Sequence, residues 1–274
     1  METLEDREAG LVPETWSLPL CHALRRRVGR ALARWRMIEA GDRVLVGLSG
    51  GKDSLVLLHA LSDLRRRSPV RFELAACTVA LTGMDTAESA RYSAARDVPF
   101  TALHHPIMEI IAQRGERSPC SFCANMRRGL LSSWAAEQGW NKLALGHTLD
   151  DAAETFFMNL LRAGRARSFL PAVHMSRAGV TVVRPLVLST EAAIIDEARR
   201  LALPVMEHAA CPYAGHTERQ RIRDFLADLR ADVPDLNSKL LNALSNLSGA
   251  DAWVDLQSGG AGREGLGPNQ DEEE

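Results

Sequence analysis

Short runs of apolar residues alternate along the chain with longer segments whose apolar and polar positions follow the period of a helix. A short continuous apolar run is typical of a strand buried on both faces, whereas the longer period is typical of a helix. Strands are predicted at residues 43–47, 70–79, 99–104, 142–146 and 181–184. Helices are predicted at residues 17–39, 55–64, 86–96, 124–138, 150–163, 190–202, 217–230 and 236–256.

This alternation of strands and helices predicts an α/β fold with a doubly wound, five-stranded parallel sheet and additional C-terminal helices. Ligands of such sheets bind at the carboxyl ends of the strands. The loops expected to carry the chemistry are therefore residues 48–54, 146–151 and 117–123.

Charge is distributed unevenly along the 274 residues, whose net charge is −2. Residues 1–15 and 263–274 each carry −4, which leaves +6 on residues 16–262. A basic body is compatible with a polyanionic partner such as a nucleic acid. We expect an acidic N-terminal extension (1–16), one domain (17–257) and a disordered acidic tail (258–274).

No run of about 18 apolar residues is present, so no membrane-spanning helix is expected. The acidic N-terminus also lacks the pattern of a secretory signal, and the expected location is cytoplasmic. The five cysteines form an odd set, which argues against a disulfide framework and favours buried, metal-binding or catalytic roles.

The most specific motif is SGGKDS at residues 49–54, between a predicted strand and a predicted helix. Two glycines let the backbone approach an anion, and the following helix N-terminus attracts negative charge. The motif is not a Walker A loop, because Asp53 follows Lys52 where that loop has Ser or Thr. The alternative is an ordinary strand–helix turn with an Asp near the helix start.

A second motif, GHTLDDAAET at residues 146–155, follows the fourth predicted strand. Asp150 and Asp151 at a helix N-terminus can hold Mg²⁺ or order the loop opposite bound phosphates. They can equally cap the helix and complement its dipole.

A C-x-x-C pair at Cys120 and Cys123 can bind a metal or a cluster, or act as a redox dithiol. Cys211, next to Pro212, is the candidate third ligand, and three thiolates fit a [4Fe–4S] cluster with one open iron. The alternative is zinc completed by a histidine, for which the candidates are His147, His208 and His216. Cys21 and Cys77 are interpreted as small buried hydrophobic residues.

Taken together, SGGKDS, P-C-x-x-C-x-x-x-R-R-G at 119–129, G-H-x-x-D-D and the third cysteine resemble the tRNA 2-thiocytidine synthetase family of PP-loop ATP pyrophosphatases. The resemblance covers roughly residues 25–245 and implies a PP-loop (HUP-like) fold. It implies ATP, Mg²⁺ and a [4Fe–4S] cluster as cofactors, the cluster on Cys120, Cys123 and Cys211. The residues it assigns to ATP binding are Ser49, Gly50, Gly51, Lys52, Asp53, Ser54, Gly146 and His147, with Lys52, Asp53, Asp150 and Asp151 as catalytic residues.

The activity implied by this resemblance is ATP-dependent 2-thiolation of cytidine 32 in tRNA through an adenylated intermediate. The implied partners are tRNA and a sulfur donor such as a cysteine desulfurase, and a homodimer is compatible with the family. The alternatives are a sulfurtransferase acting on uridine or a small metabolite, and a non-catalytic Fe–S or zinc tRNA-binding module. Candidate contacts with tRNA phosphates are Arg127, Arg128, Arg162, Arg165, Arg167, Arg219, Arg221 and Arg223.

Overall fold

The sheet at the centre of the molecule has six strands in the computed structural model, which describes residues 12–116, 118–206 and 218–246. The strands are β1 (Arg43–Gly47), β2 (Glu73–Ala80), β3 (Phe100–His104), β4 (Lys142–Ala144), β5 (Ala172–Met175) and β6 (Val180–Val183). They lie in the order β3-β2-β1-β4-β6-β5, and only β5 runs antiparallel to its neighbour. The predicted doubly wound α/β class is therefore confirmed.

The predicted number of five strands is wrong by one, because β5 was not recognised. This strand lies at the edge of the sheet, pairs only with β6 and is largely half-exposed. It lacks the continuous apolar run of a central strand, and a tight turn with Gly179 at a φ of 66° leads into β6. An edge strand of this kind leaves a weak signal in the sequence.

Nine helices connect and cover the strands in the described part of the chain. They are α1 (His22–Arg34), α2 (Lys52–Arg67), α3 (Ala87–Ala95), α4 (Ile107–Arg114), α5 (Pro119–Glu137), α6 (Leu149–Ala163), α7 (Glu191–Arg200), α8 (Glu218–Asp232) and α9 (Leu236–Asn246). Helix α4 was not predicted. Helix α5 begins five residues before its predicted start of 124, because Pro119 occupies the first turn, where proline is well tolerated.

Apolar side chains from β1 enter the core on both faces of the sheet. Val44 and Val46 belong to the cluster that also contains α1, α2 and α7, whereas Leu45 belongs to the cluster under α4 and α5. Burial on both faces explains why the central strands read as continuous apolar runs rather than as alternating ones.

The chain enters this core before residue 17. Trp16 is only 2% exposed, and its indole nitrogen donates to the carbonyl of Ala202 at 3.0 Å. Arg96 donates to the carbonyl of Trp16 at 2.6 Å, and His59 is 2.9 Å from the carbonyl of Leu18. The residues just before α1 are thus part of the domain. The predicted boundary between an N-terminal extension (1–16) and the domain (17–257) stays a prediction. The predicted disordered tail (258–274) lies outside the described residues.

Three helices that follow central strands begin at the carboxyl edge of the sheet. Helix α2 follows β1, α6 follows β4 and α7 follows β6, and these three strands are adjacent. Their N-termini therefore meet at one edge and combine three partial positive charges there. None of the described helices is both long and apolar enough to span a membrane.

Candidate active site

The loop between β1 and α2 is closed by its two serines. The buried hydroxyl of Ser54 donates to the carbonyl of Gly51 at 2.9 Å and accepts the backbone N–H of Ser49 at 3.1 Å. Gly51 is the N-cap of α2, and no side chain caps this helix. Backbone N–H groups of the first turn are therefore left for an anion, as the SGGKDS motif predicts.

Glycine is required at two points around this loop. Gly50 has a φ of 79°, and a Cβ there would lie 2.4 Å from the sulfur of Met206, whose N–H donates to the carbonyl of Gly50. A Cβ on Gly146 would lie 3.0 Å from the backbone carbonyl carbon of Asp53. The two sequence motifs thus meet in space, backbone against backbone.

Lys52 points from the first residue of α2 towards α7. Its ammonium is 2.9 Å from a carboxylate oxygen of Glu191 and 3.2 Å from one of Asp53. Burial acts to lower the pKa of Lys52, but the hydrogen bond to Glu191 and the two negative charges outweigh it and raise the pKa. The lysine is therefore charged at neutral pH and held at the loop by a residue that the sequence interpretation did not identify.

Asp53 keeps one carboxylate oxygen, Oδ1, buried without a hydrogen-bond partner among the described residues. Burial is the largest cause that raises the pKa of Asp53, and the charges of Asp151 and Glu191 add to it against the opposing charge of Lys52. A carboxylate in this position is stabilised by an added cation.

Asp151 completes the capping box at the N-terminus of α6 and lines the cavity beside the loop. Its Oδ2 accepts the N–H of Thr148 at 2.8 Å, and the Thr148 hydroxyl accepts the N–H of Asp151, which together form a capping box. Its Oδ1 accepts from Arg219 at 2.9 Å. The capping interpretation is therefore confirmed for Asp151, whereas its assignment as a catalytic residue stays a prediction.

Asp150 is directed away from the cavity. Its Oδ2 accepts the N–H of Glu191 at 2.6 Å, and its Oδ1 accepts from Arg230 and Asn237 at 2.9 Å each. The carboxylate ties the start of α7 to α8 and α9. Its assignment as a catalytic residue stays a prediction, and its contact with the site is the hydrogen bond from the backbone of Glu191.

Glu154 is a carboxylate that two arginines of α8 hold in the interior. It is 2% exposed and accepts from Arg219 at 2.6 Å and from Arg223 at 2.9 Å. Arg219 thus spans Glu154 and Asp151 and reaches the cavity wall. Two of the arginines proposed as tRNA contacts are therefore engaged with carboxylates of the protein itself.

His147 contributes a neutral ring to the same cavity. Burial is the largest cause that lowers its pKa, to about 3, and the charges of Arg184, Arg219 and Arg128 act in the same direction. The Nδ1 atom is buried without a partner among the described residues, and the ring lies 5.1 Å from that of Phe169. The imidazole can exchange hydrogen bonds with a ligand without adding charge.

One cavity of about 390 Å³ connects these features. Its walls are the loop with the end of β2, the segment after β4, and the second to fourth turns of α5. The residues that line it include Ser49, Asp53, Ser54, Gly146, His147, Asp151, Asn125, Arg127, Arg128 and Arg219. A pocket at the carboxyl edge of the sheet is where a doubly wound fold binds its ligands.

The C-x-x-C pair lies in the first two turns of α5, not in the loop that the sequence predicted. Cys120 is exposed, and Cys123 packs partly buried against the apolar cluster under α5. Ala124, the next residue, already lines the cavity. The described residues contain no group of three metal-ligating side chains, and the third predicted ligand, Cys211, lies outside them.

The remaining cysteines do not belong to this pair. Cys77 is fully buried in β2, and burial raises its pKa to about 12, which confirms its interpretation as a small buried residue. Cys21 is half-buried at the N-cap of α1. Of the histidines proposed as zinc ligands, His147 faces the cavity, whereas His208 and His216 lie outside the described residues.

Comparison with known proteins extends this picture. Residues 22–229 match the PP-loop domain family ATP_bind_3. The chain is 38% identical over 232 residues to a protein of Geobacter metallireducens named tRNA-cytidine(32) 2-sulfurtransferase, covering 82% of this chain and 89% of that one. It is 39% identical over 233 residues to the protein of that name in Geobacter sulfurreducens, with the same coverage.

A solved structure supports the fold. The U34-tRNA thiolase NcsA from Methanococcus maripaludis, solved with its [4Fe–4S] cluster, superimposes with a TM-score of 0.66. The match covers 83% of this chain and 79% of the thiolase, at 23% sequence identity.

Proposed function

The chain belongs to the PP-loop domain family and, within it, to the family of the tRNA-cytidine 2-sulfurtransferases, and from this premise we propose that it thiolates C2 of cytidine 32 in tRNA. The observation that carries the proposal is the single cavity that touches the phosphate loop, the G-H-x-x-D-D segment and the helix bearing C-x-x-C. ATP activation and sulfur transfer at one base require that such groups lie side by side.

The proposed reaction has two steps. The O2 oxygen of the cytosine attacks the α-phosphorus of ATP, a P–O bond to the leaving pyrophosphate breaks, and the base becomes adenylated. A sulfide-level sulfur nucleophile then forms the C2–S bond and loses its proton, and AMP departs with the former O2. Persulfide sulfur from a donor such as a cysteine desulfurase must first be reduced to that level by a thiol. The target base must leave its stack to reach the cavity.

The phosphate loop stabilises the charge that develops on the leaving pyrophosphate. The N-terminus of α2 directs N–H groups at the phosphates, and Lys52 adds a full positive charge that Glu191 keeps close to the loop. Arg219, fixed by Asp151 and Glu154, brings a second positive charge to the cavity wall. His147 offers a hydrogen bond to the nucleotide as a neutral ring.

Mg²⁺ fits the carboxylate side of this site. Asp53 has the unpartnered buried oxygen and the raised pKa expected of a group that awaits a cation, and Asp151 lines the same cavity. A magnesium ion held there would neutralise charge on the phosphates. We propose Asp53 as its principal ligand.

A [4Fe–4S] cluster fits the thiol side. Cys120 and Cys123 stand one turn apart at the open end of α5, and thiolate sulfur is the ligand that iron–sulfur clusters use. We propose Cys211 as the third ligand. A cluster with one open iron would supply bound sulfur next to the activated base.

The first test is tRNA-dependent release of pyrophosphate from ATP. The wild-type protein and the surface control K239A should release pyrophosphate when tRNA is added, whereas folded K52A should not. Release by K52A at the wild-type rate would refute the role of the loop. No release by the wild type would instead identify a non-catalytic tRNA-binding module.

A second test addresses the cluster. Protein purified without oxygen should contain about four irons, and replacing Cys120, Cys123 or Cys211 with Ala should remove the iron while ATP binding persists. Stoichiometric zinc without iron would overturn the assignment.

A further inference from the structure

Helix α1 carries a concentration of positive charge that the active site does not use. Its 13 residues contain five arginines and no acidic residue. Arg26, Arg27, Arg30 and Arg34 are all exposed. Successive residues of a helix are rotated by about 100°, which places these four side chains within an arc of about 100°. They form one arginine face, rotated by about 120° from the side of α1 that packs into the core.

The arginine face has no carboxylate partner within the described part of the chain. Arg34 stacks on the ring of Trp35 at 4.9 Å, and no acidic side chain forms an ion pair with any of the four. The charge of the face is therefore available to an external anion.

Four of the eight arginines that the sequence suggested for tRNA behave differently. Arg219 and Arg223 bind Glu154, and Arg162 and Arg221 pair with Glu218. A guanidinium that already binds a carboxylate must exchange one partner for another, so it gains less from a phosphate than an unpaired one. The structure thus separates these carboxylate-paired arginines from the four arginines of α1, which have no carboxylate partner among the described residues.

The face has the dimensions of a phosphate-binding surface. Arg26 and Arg34 are eight residues apart, which is about 12 Å along the axis of α1. One strand of B-form DNA places a phosphate every ~3.4 Å of axis, so a face of this length can meet on the order of four phosphates. Arginine also binds phosphate in a bidentate manner.

The arginine face is connected to the active site through α7. The N–H of Cys21, at the N-cap of α1, donates to Glu197 at 2.9 Å. Glu197 lies six residues, or about 9 Å, along α7 from Glu191, which binds Lys52. The two ends of the arginine face lie a further five and thirteen residues from Cys21, about 8 and 20 Å along α1. The summed path along the two helix axes is about 17–29 Å, which is shorter than one helical turn of nucleic acid, about 34 Å. A bound tRNA stem can therefore contact α1 while one of its bases occupies the cavity.

We propose that the arginine face of α1 is a docking surface for the phosphate backbone of tRNA. The identity of the partner rests on the proposed function, whereas the position of the surface rests on the charges of α1. The face adds affinity and orients the stem without reading the base sequence.

The experiment compares two variants of the full chain that lose the same charge. R26Q/R27Q/R30Q/R34Q removes the face, and Gln has nearly the helix propensity of Arg. R43Q/R66Q/R91Q/K239Q removes four cations that each pair with a carboxylate and that are not among the candidate tRNA contacts. Binding of bulk tRNA is measured from 50 to 200 mM salt, with ATP binding and thermal unfolding as checks of integrity.

The face variant should bind tRNA on the order of tenfold more weakly, and its plot of log affinity against log salt should lose about 3 units of slope. Its ATP binding should equal that of the wild type, and the control should keep most of its slope. Equal losses of tRNA affinity in the two variants would show that the effect depends on net charge alone and would overturn the proposal. An unchanged slope in the face variant would also overturn it.

Two further outcomes separate this proposal from others. A wild-type protein that does not bind tRNA would contradict the proposed function itself. A face variant that keeps its tRNA affinity but loses binding to phosphatidylserine vesicles would identify a membrane surface instead and would refute the docking assignment.

Discussion

Replacing Glu154 with glutamine tests whether the buried carboxylate of α6 positions Arg219 for catalysis. The Glu154 side chain is 3% exposed and accepts from Arg219 at 2.6 Å and from Arg223 at 2.9 Å. A hydrogen bond to a charged group contributes about 1.5–3 kcal/mol. Both arginines are 43% exposed, so solvent screening reduces each contribution, and glutamine can still accept one bond.

These terms predict that E154Q lowers the free energy of unfolding by about 2 kcal/mol, which for a chain of this size corresponds to a fall in Tm of roughly 4–8 °C. Because Arg219 reaches the cavity wall, the rate of pyrophosphate release should also fall by roughly tenfold or more below the melting transition. Both quantities are accessible, by thermal unfolding and by a coupled pyrophosphate assay.

E197Q is the matched control for this prediction. Glu197 is also 2% exposed and also binds an arginine, Arg200 at 2.7 Å, but it does not line the cavity. Its loss should lower the Tm comparably and leave the rate unchanged. If E154Q proves as unstable as predicted but fully active, the positioning role of Glu154 is refuted. Equal losses of activity in E154Q and E197Q would indicate general destabilisation instead.

Three further predictions concern other parts of the site and the core. E191Q removes the main interaction that raises the pKa of Lys52, so the alkaline limb of the pH–rate profile should move to lower pH; an unmoved limb would argue against the ion pair. The pKa of His59 is lowered to about 4, chiefly by burial, whereas in the unfolded chain the pKa of histidine is near 6.5. Between pH 7 and pH 5 the unfolded chain therefore binds a proton that the native state does not bind, and the free energy of unfolding should fall by about 2 kcal/mol. Urea unfolding of H59Q should show a smaller fall over the same pH range. G146A should weaken ATP binding and lower the free energy of unfolding by about 1–3 kcal/mol, because the new Cβ presses on the backbone of Asp53. The control G29A should be neutral or slightly stabilising, because its Cβ meets nothing within 4 Å.

Features that depend on local sequence could be predicted, and features that depend on distant partners could not. The central strands and the SGGKDS loop leave continuous signals, because burial on both faces and a tight glycine turn are encoded within a few residues. Edge strand β5 and helix α4 are short, and their places depend on neighbours elsewhere in the chain.

The ion-pair network of the site shows the same limit. Glu191 lies 139 positions after Lys52, and nothing near either residue indicates that they meet. The sequence contains a weak signal of the contacts of Glu154. Asp151 and Glu154 share one face of α6, and Arg219 and Arg223 are four residues apart on α8. Complementary faces of this kind suggest a helix pair, but the sequence does not reveal which two helices meet.

Nucleoside mass spectrometry of reacted tRNA tests the central claim most directly. Unmodified tRNA is incubated without oxygen with the cluster-loaded protein, ATP, Mg²⁺ and sulfide, and is then digested to nucleosides. We expect 2-thiocytidine that forms only with ATP, is absent with K52A and is absent when cytidine 32 of the tRNA is replaced by uridine. Thiolation of uridine alone, or no thionucleoside despite rapid pyrophosphate release, would contradict it.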